Sequence, residues 1–296
     1  MNHPGRFRAL LVLLAIPVAA LVISWWVQTR GGLGKHGEPS WHGRSLGSWL
    51  KDIDIKTGKR SPQAESAIRG IGTNGIAFLL AQMTATNTPR DHLIAKVGNE
   101  ERRWKLGLLT TEERRWFAAS AFETLGSAAE PAIPDLLRML GASSQPSYVS
   151  YALSRIGTNA IAPLTHSLAN TNERTRMFAV MALQQMGPTA ASAAAALARA
   201  ARDPADSVRS QATRALGRCK GDPAVVVPAL LISLNETNRA VQILALDALG
   251  QVGPPAIAAV PAIAALATNS SSGLDTRASA ALKRIDPGEA ARLGVK

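Results

Sequence analysis

Cysteine is nearly missing: Cys219 is the single one in 296 residues. That excludes an internal disulfide framework and a cysteine-rich zinc site, and no cysteine stands near the start to carry a lipid. Aromatic residues are also scarce, at 4%, where a β-sandwich would need more aromatic and β-branched side chains. The five histidines (His3, His36, His42, His92 and His166) include no pair at metal-ligand spacing and no His-Glu-x-x-His. A Gly-x-x-x-x-Gly-Lys-Ser/Thr phosphate loop is missing too, so no cofactor is expected. The one Gly-x-Ser-x-Gly string, "GRSLG" at Gly43 to Gly47, lacks the strand-then-helix context of a hydrolase elbow. Ser45 is therefore read as a helix cap rather than a nucleophile.

Hydrophobic residues make up 46% of the chain, and Ala, Leu, Val and Ile dominate its second half. This composition favours close-packed helices in one large or two ordinary domains. The net charge of +12 invites a nucleic-acid reading, but half of the excess falls within residues 1–60. There it flanks an uncharged run, "ALLVLLAIPVAALVISWWV", Ala9 to Val27. As a helix that run spans about 28 Å, close to the thickness of a bilayer core, and Trp25 and Trp26 sit where ring side chains suit the headgroups. It is expected to be a retained single-pass anchor, since the run continues well past the alternative signal-cleavage site at Val18 to Ala20. The folded bulk would then be extracytoplasmic, or secreted if cleavage occurs. The domain expectation is an anchor at 1–30, a Gly-rich tether at 31–44, a capping helix at 45–60 and a helical array at 61–296.

The array declares itself by repetition. The pattern Ala, large apolar, two variable residues, apolar, then usually Gly begins at Ala67, Ala121, Ala152, Ala182, Ala215, Ala248 and Ala281, at intervals of 54, 31, 30, 33, 33 and 33. Three residues upstream stands Ala64, Ala118, Val149, Ala179, Ala212, Ala245 or Ala278. Small residues at this spacing mark a helix face that a neighbouring backbone approaches closely. Starts are legible in Ser61-Pro62, in the capping-box pair Thr110 and Glu113, and in Asp203-Pro204. Second helices follow at "PAIPDLLRML", "DPAVVVPALLISL" and "PPAIAAVPAIAALA", with Pro134, Pro163, Pro228 and Pro261 expected in first turns. The string "IGTN" occurs at Ile71 and again at Ile156. It reads as a helix stop at Gly72 or Gly157 followed by a helix start capped by Asn74 or Asn159.

These residues resemble HEAT repeats, especially the short bacterial, bilin-lyase-like kind. "DSVRSQATRALG" (Asp206 to Gly217) fits that pattern closely; "ERTRMFAVMALQQMG" and "NRAVQILALDALG" fit it loosely. The resemblance implies an all-α fold: a right-handed α-α superhelix, a HEAT/armadillo-like solenoid of about seven hairpins, preceded by one N-terminal transmembrane helix. "WHGRSLGSWL" (Trp41 to Leu50) is similar to a stretch found ahead of such repeats in exported bacterial proteins. It is expected to cover the open end of the first hairpin.

The long interval places an insertion at about 84–110, and "EERRW" occurs in it and again at Glu112. Cys219 aligns with Val252 and Ile285 and is expected in the core. The function expected is a membrane-tethered scaffold that holds a protein partner on its concave surface and insertion, without catalysis. Candidate contact residues are Arg102, Arg103, Trp104, Arg138, His166, Arg199 and Arg202. The alternatives are a bilin-lyase-like enzyme, or a binder of nucleic acid or an acidic ligand through the basic cluster of Arg199, Arg202, Arg209, Arg214, Arg218 and Lys220.

Overall fold

The computed structural model describes residues 38–54, 57–97, 103, 107–269 and 273–294. No helix among them is long and apolar enough to cross a membrane; the expected anchor, Ala9 to Val27, lies outside the described residues. They form two compact units divided between Thr124 and Leu125.

The first unit opens with a two-stranded antiparallel ribbon, β1 (Ser40–Trp41) and β2 (Arg44–Ser45), followed by the short helix α1 (Leu46–Leu50). Ser45 stands at the N-cap position but makes no capping hydrogen bond. The carboxylate of Glu38 takes that role, accepting from the Gly47 N–H at 2.6 Å. The Trp41 ring lies on Gly70, where any Cβ would fall within 2.3 Å of it. Leu46 and Leu50 are buried, so the segment covers one side of the first hairpin. That hairpin comprises α2 (Pro62–Ile71) and α3 (Ile76–Thr84). Its start follows the expected logic: Ser61 accepts from the Ala64 N–H, and Pro62 occupies the first turn.

The insertion contributes α4 (Pro89–Ala95) and leads to α5 (Thr111–Leu125). Thr110 and Glu113 form the reciprocal capping box, with hydrogen bonds of 2.7 and 3.2 Å.

The second unit holds α6 (Ile133–Ala142) and five further helix pairs: α7 (Pro146–Ile156) with α8 (Ile161–Ser167), α9 (Glu173–Met186) with α10 (Ala194–Ala200), α11 (Asp206–Arg218) with α12 (Pro223–Leu234), α13 (Arg239–Val252) with α14 (Val260–Ala267), and α15 (Asp275–Ile285) with α16 (Pro287–Arg292). First helices lie side by side in the order α7, α9, α11, α13, α15, and each second helix also packs on the next first helix. Small residues make this possible. Ala179, Ala182, Ala212, Ala215, Ala245 and Ala248 are buried, and at Gly217 an added Cβ would come within 2.7 Å of the Ala248 Cα. The greasy faces are thus buried between neighbours, as helix ridges require.

Three local expectations are corrected. Gly72 and Gly157 do adopt positive φ, 57° and 105°, but Asn74 and Asn159 cap nothing. After each glycine the chain continues as a 3-10 turn (Gly72–Gly75 and Thr158–Ala160), with Gly75 and Ala160 preceding the α-helix. Asn159 instead donates to Glu130 at 2.6 Å. Asp203-Pro204 does not open α11, which begins at Asp206 after Ala205. Pro228 falls inside α12, because that helix starts directly at Pro223, capped by Asp222, with no 3-10 turn before it.

Candidate functional site

Of the residues nominated from sequence, Arg102 and Trp104 lie outside the described residues. Arg103 is buried and pairs with Glu113 at 2.9 Å, so it holds the insertion down rather than facing a partner. The surrounding groups do the same. Asp91 accepts from the Thr111 N–H (2.6 Å) and hydroxyl (3.0 Å), and the Arg115 guanidinium donates to the Ala85 carbonyl at 3.0 Å. Arg138 on α6 is exposed beside Asp135. His166, Arg199 and Arg202 are exposed at the ends of α8 and α10. All four stand on or just after second helices, and among the described residues no hydrogen bond or ion pair joins any two of them.

The basic cluster of the fourth and fifth hairpins divides in two. Arg176 and Arg209, 33 positions apart, build the same device twice. Arg176 forks onto Asp203 at 2.7 and 2.8 Å and donates to the Asn170 and Thr171 carbonyls. Arg209 reaches Glu236 at 3.0 Å and the Asp203 and Pro204 carbonyls at 2.9 and 3.1 Å. Each arginine thereby ties its own leading loop to the loop that follows its hairpin. Burial alone pushes the Asp203 carboxyl up, but the Arg176 bonds and the Ala205 N–H outweigh it and hold the group below its ordinary value. These arginines are structural. Arg214, Arg218 and Lys220, in contrast, are exposed.

Counting from each signature alanine, positions −4, −1 and +3 share the outer face of the first helix. From the third to the seventh copy, position −4 carries Tyr148, Phe178, Gln211, Leu244 and Arg277. Position −1 carries Tyr151, Met181, Arg214, Asp247 and Ala280, and position +3 carries Arg155, Gln185, Arg218, Gln251 and Arg284. The face therefore grades from aromatic to polar and basic along the array. Tyr148, Tyr151, Phe178 and Met181 are half-buried. The Arg155 guanidinium sits 4.9 Å from the centre of the Tyr151 ring, and Arg174 sits 5.9 Å from that of Phe178. Both tyrosines of the chain lie here. The sequence reading missed this face, although lining up the seven copies carries the signal.

At the C-terminal ends of α9, α11 and α13 the same face holds an open depression of about 400 Å³. Its lining includes Gln184, Gln185, Arg218, Lys220 and Gln251. Among the described residues no group of three or more His, Cys, Asp or Glu is placed to hold a metal. Cys219 is fully buried, and burial pushes its thiol above the ordinary value.

Comparison with curated proteins finds no match. Solved structures that match the chain include an engineered protein, 18% identical, covering 82% of this chain and 97% of its own, at a TM-score of 0.40. Human deoxyhypusine hydroxylase is 16% identical over 92% of this chain and 99% of its own, at 0.35. The CpcE–CpcF phycocyanin lyase complex from Nostoc is 16% identical over 88% and 97%, also at 0.35. The family model described as HEAT repeats matches residues 147–217, from α7 to the end of α11, and so takes in three of the five first helices that carry the graded face.

Proposed function

We propose that the chain is a HEAT-repeat scaffold without catalysis of its own, which grips a protein partner on the outer face of its first helices. The observation that carries this reading is the half-buried cluster of Tyr148, Tyr151, Phe178 and Met181 beside Arg155 and Arg174. Aromatic and arginine side chains are the common anchors of protein interfaces, and this chain has few aromatics to spend. The contact face thus differs from the second-helix and insertion residues first nominated. The bilin-lyase alternative is not adopted, since the single thiol is buried inside the fifth hairpin. Tethering by Ala9 to Val27 rests on its length and apolarity alone.

Affinity capture from native membranes with the full chain tests the scaffold. Tyr151→Ala with Phe178→Ala is expected to reduce recovery of the specific partner by about tenfold or more, as loss of interface anchors does. Equal recovery by the variant overturns the reading. Deletion of residues 1–30 is expected to move the protein from the carbonate-resistant membrane fraction to the supernatant; if it is already there when full-length, the tether fails.

A further inference from the structure

The fifth hairpin breaks a rule that five of its six siblings keep. Five of the seven signatures end in a glycine of positive φ: Gly72 (57°), Gly126 (52°), Gly157 (105°), Gly187 (57°) and Gly253 (74°). The fifth has Lys220 at the same position with φ 52°. A left-handed backbone is costly for any residue with a Cβ, and glycine solves the problem in the neighbouring copies. At Gly72, Gly126, Gly157 and Gly187 a Cβ would meet nothing within 4 Å, so a side chain grown from this position projects outward. Lys220 does so. Its ammonium reaches the Gln251 carbonyl of the next hairpin at 3.3 Å, on the rim of the depression it lines with Arg218, Gln184, Gln185 and Gln251.

Strain retained beside a shaped surface points to use. The depression is lined by two cations and no carboxylate, and Arg218 has no ion pair among the described residues. We infer that this depression binds carboxylate side chains on an extended acidic segment of the protein partner, which deepens the scaffold reading and rests on it. Three adjacent first helices at 8–10 Å spacing span roughly 20 Å, the length of about six extended residues. Glutamine amides both donate and accept, which suits the main chain of such a segment, while Arg218 and Lys220 suit its carboxylates. A nucleic-acid strand fits less well. Single strands bind by stacking bases on aromatic side chains, and the lining of the depression includes none.

The test measures fluorescence anisotropy of a labelled polyglutamate peptide, about ten residues long to exceed the groove, against the full chain in low salt. Single-stranded oligothymidylate serves as the competing probe. Lys220→Gly is expected to weaken polyglutamate binding by about three- to fivefold, on the scale of one exposed ion pair. The same substitution is expected to raise the melting temperature by about 2–4 °C, because it relieves the left-handed strain. Arg218→Gln is expected to weaken binding similarly without moving the melting temperature. The inference is overturned if wild type does not bind polyglutamate, if oligothymidylate binds more tightly, or if Lys220→Gly binds as wild type. It is also overturned if Lys220→Gly melts lower, since the bond to Gln251 would then explain the lysine. None of these outcomes touches capture through Tyr151 and Phe178, so the scaffold reading stands or falls separately.

Discussion

Two arginine-rich regions of this chain differ in how many guanidinium groups they leave exposed. At the junction of the insertion with α5, Arg103 and Arg115 are buried, and Arg114 is half-buried and donates to the Thr111 hydroxyl at 2.7 Å. Desolvation there lowers the Arg114 pKa. In the fourth and fifth hairpins, Arg176 and Arg209 are likewise consumed by internal carboxylates, whereas Arg199, Arg202, Arg214 and Arg218 stay exposed. The lesson is that a basic cluster in sequence is a sum over two populations. One supplies guanidinium forks to close loops, and only the other is available to a partner.

The largest expected effect separates those populations. Asp203→Ala leaves the Arg176 guanidinium, with a side chain only 12% exposed, without the carboxylate it is hydrogen-bonded to. It is expected to cost about 3 kcal/mol of stability, read as a lower chemical-denaturation midpoint. A loss below about 0.5 kcal/mol, the scale of an ordinary surface change, would move Arg176 into the exposed population. At the insertion, Arg103→Ala is expected to cost about 2 kcal/mol, less because Glu113 keeps its bonds to Thr110. Partner recovery by Arg103→Ala should remain at wild-type level once folding is confirmed by circular dichroism. Lost recovery in a folded variant would restore the insertion as a binding element.

Acid titration sharpens the same division. Asp203 has its pKa depressed in the folded state, so its stabilisation is complete above the unfolded value near 3.9. It is lost as pH falls through the lower folded value. Wild type should therefore destabilise below about pH 4 more steeply than Asp203→Ala. Parallel acid limbs would show that the Arg176 pairing carries no such stability.

The hairpins were legible because a constraint of packing repeats with the fold. Alanine at i and i+3 leaves the same mark in six of the seven copies, the third having Val149. Caps were legible only where the side chain has no competing partner. Ser61 and Thr110 behaved as expected, but Asp203 looks like a helix start in sequence and is a salt-bridge acceptor in space, held by an arginine 27 positions upstream. Asn159 was likewise drawn off by Glu130. The contact face was not found from the residues singly, because Tyr148, Phe178 and Arg214 share it only when the copies are superposed. Charge density drew attention to Arg199 and Arg202 instead.

The smallest expected effect decides between those two faces. Arg202 follows a second helix, and Arg214 stands at position −1 of a first helix. Both are exposed and belong to no ion pair among the described residues, so Arg202→Gln and Arg214→Gln should each change stability by less than about 0.5 kcal/mol. Their binding effects should differ. Arg214 lies between the aromatic cluster and Arg218 on the proposed contact face, and its loss should reduce partner affinity by about two- to threefold, as for a rim charge. Arg202→Gln should leave affinity unchanged. The reverse ranking would place the partner on the second helices and return the binding assignment to the residues first nominated from sequence.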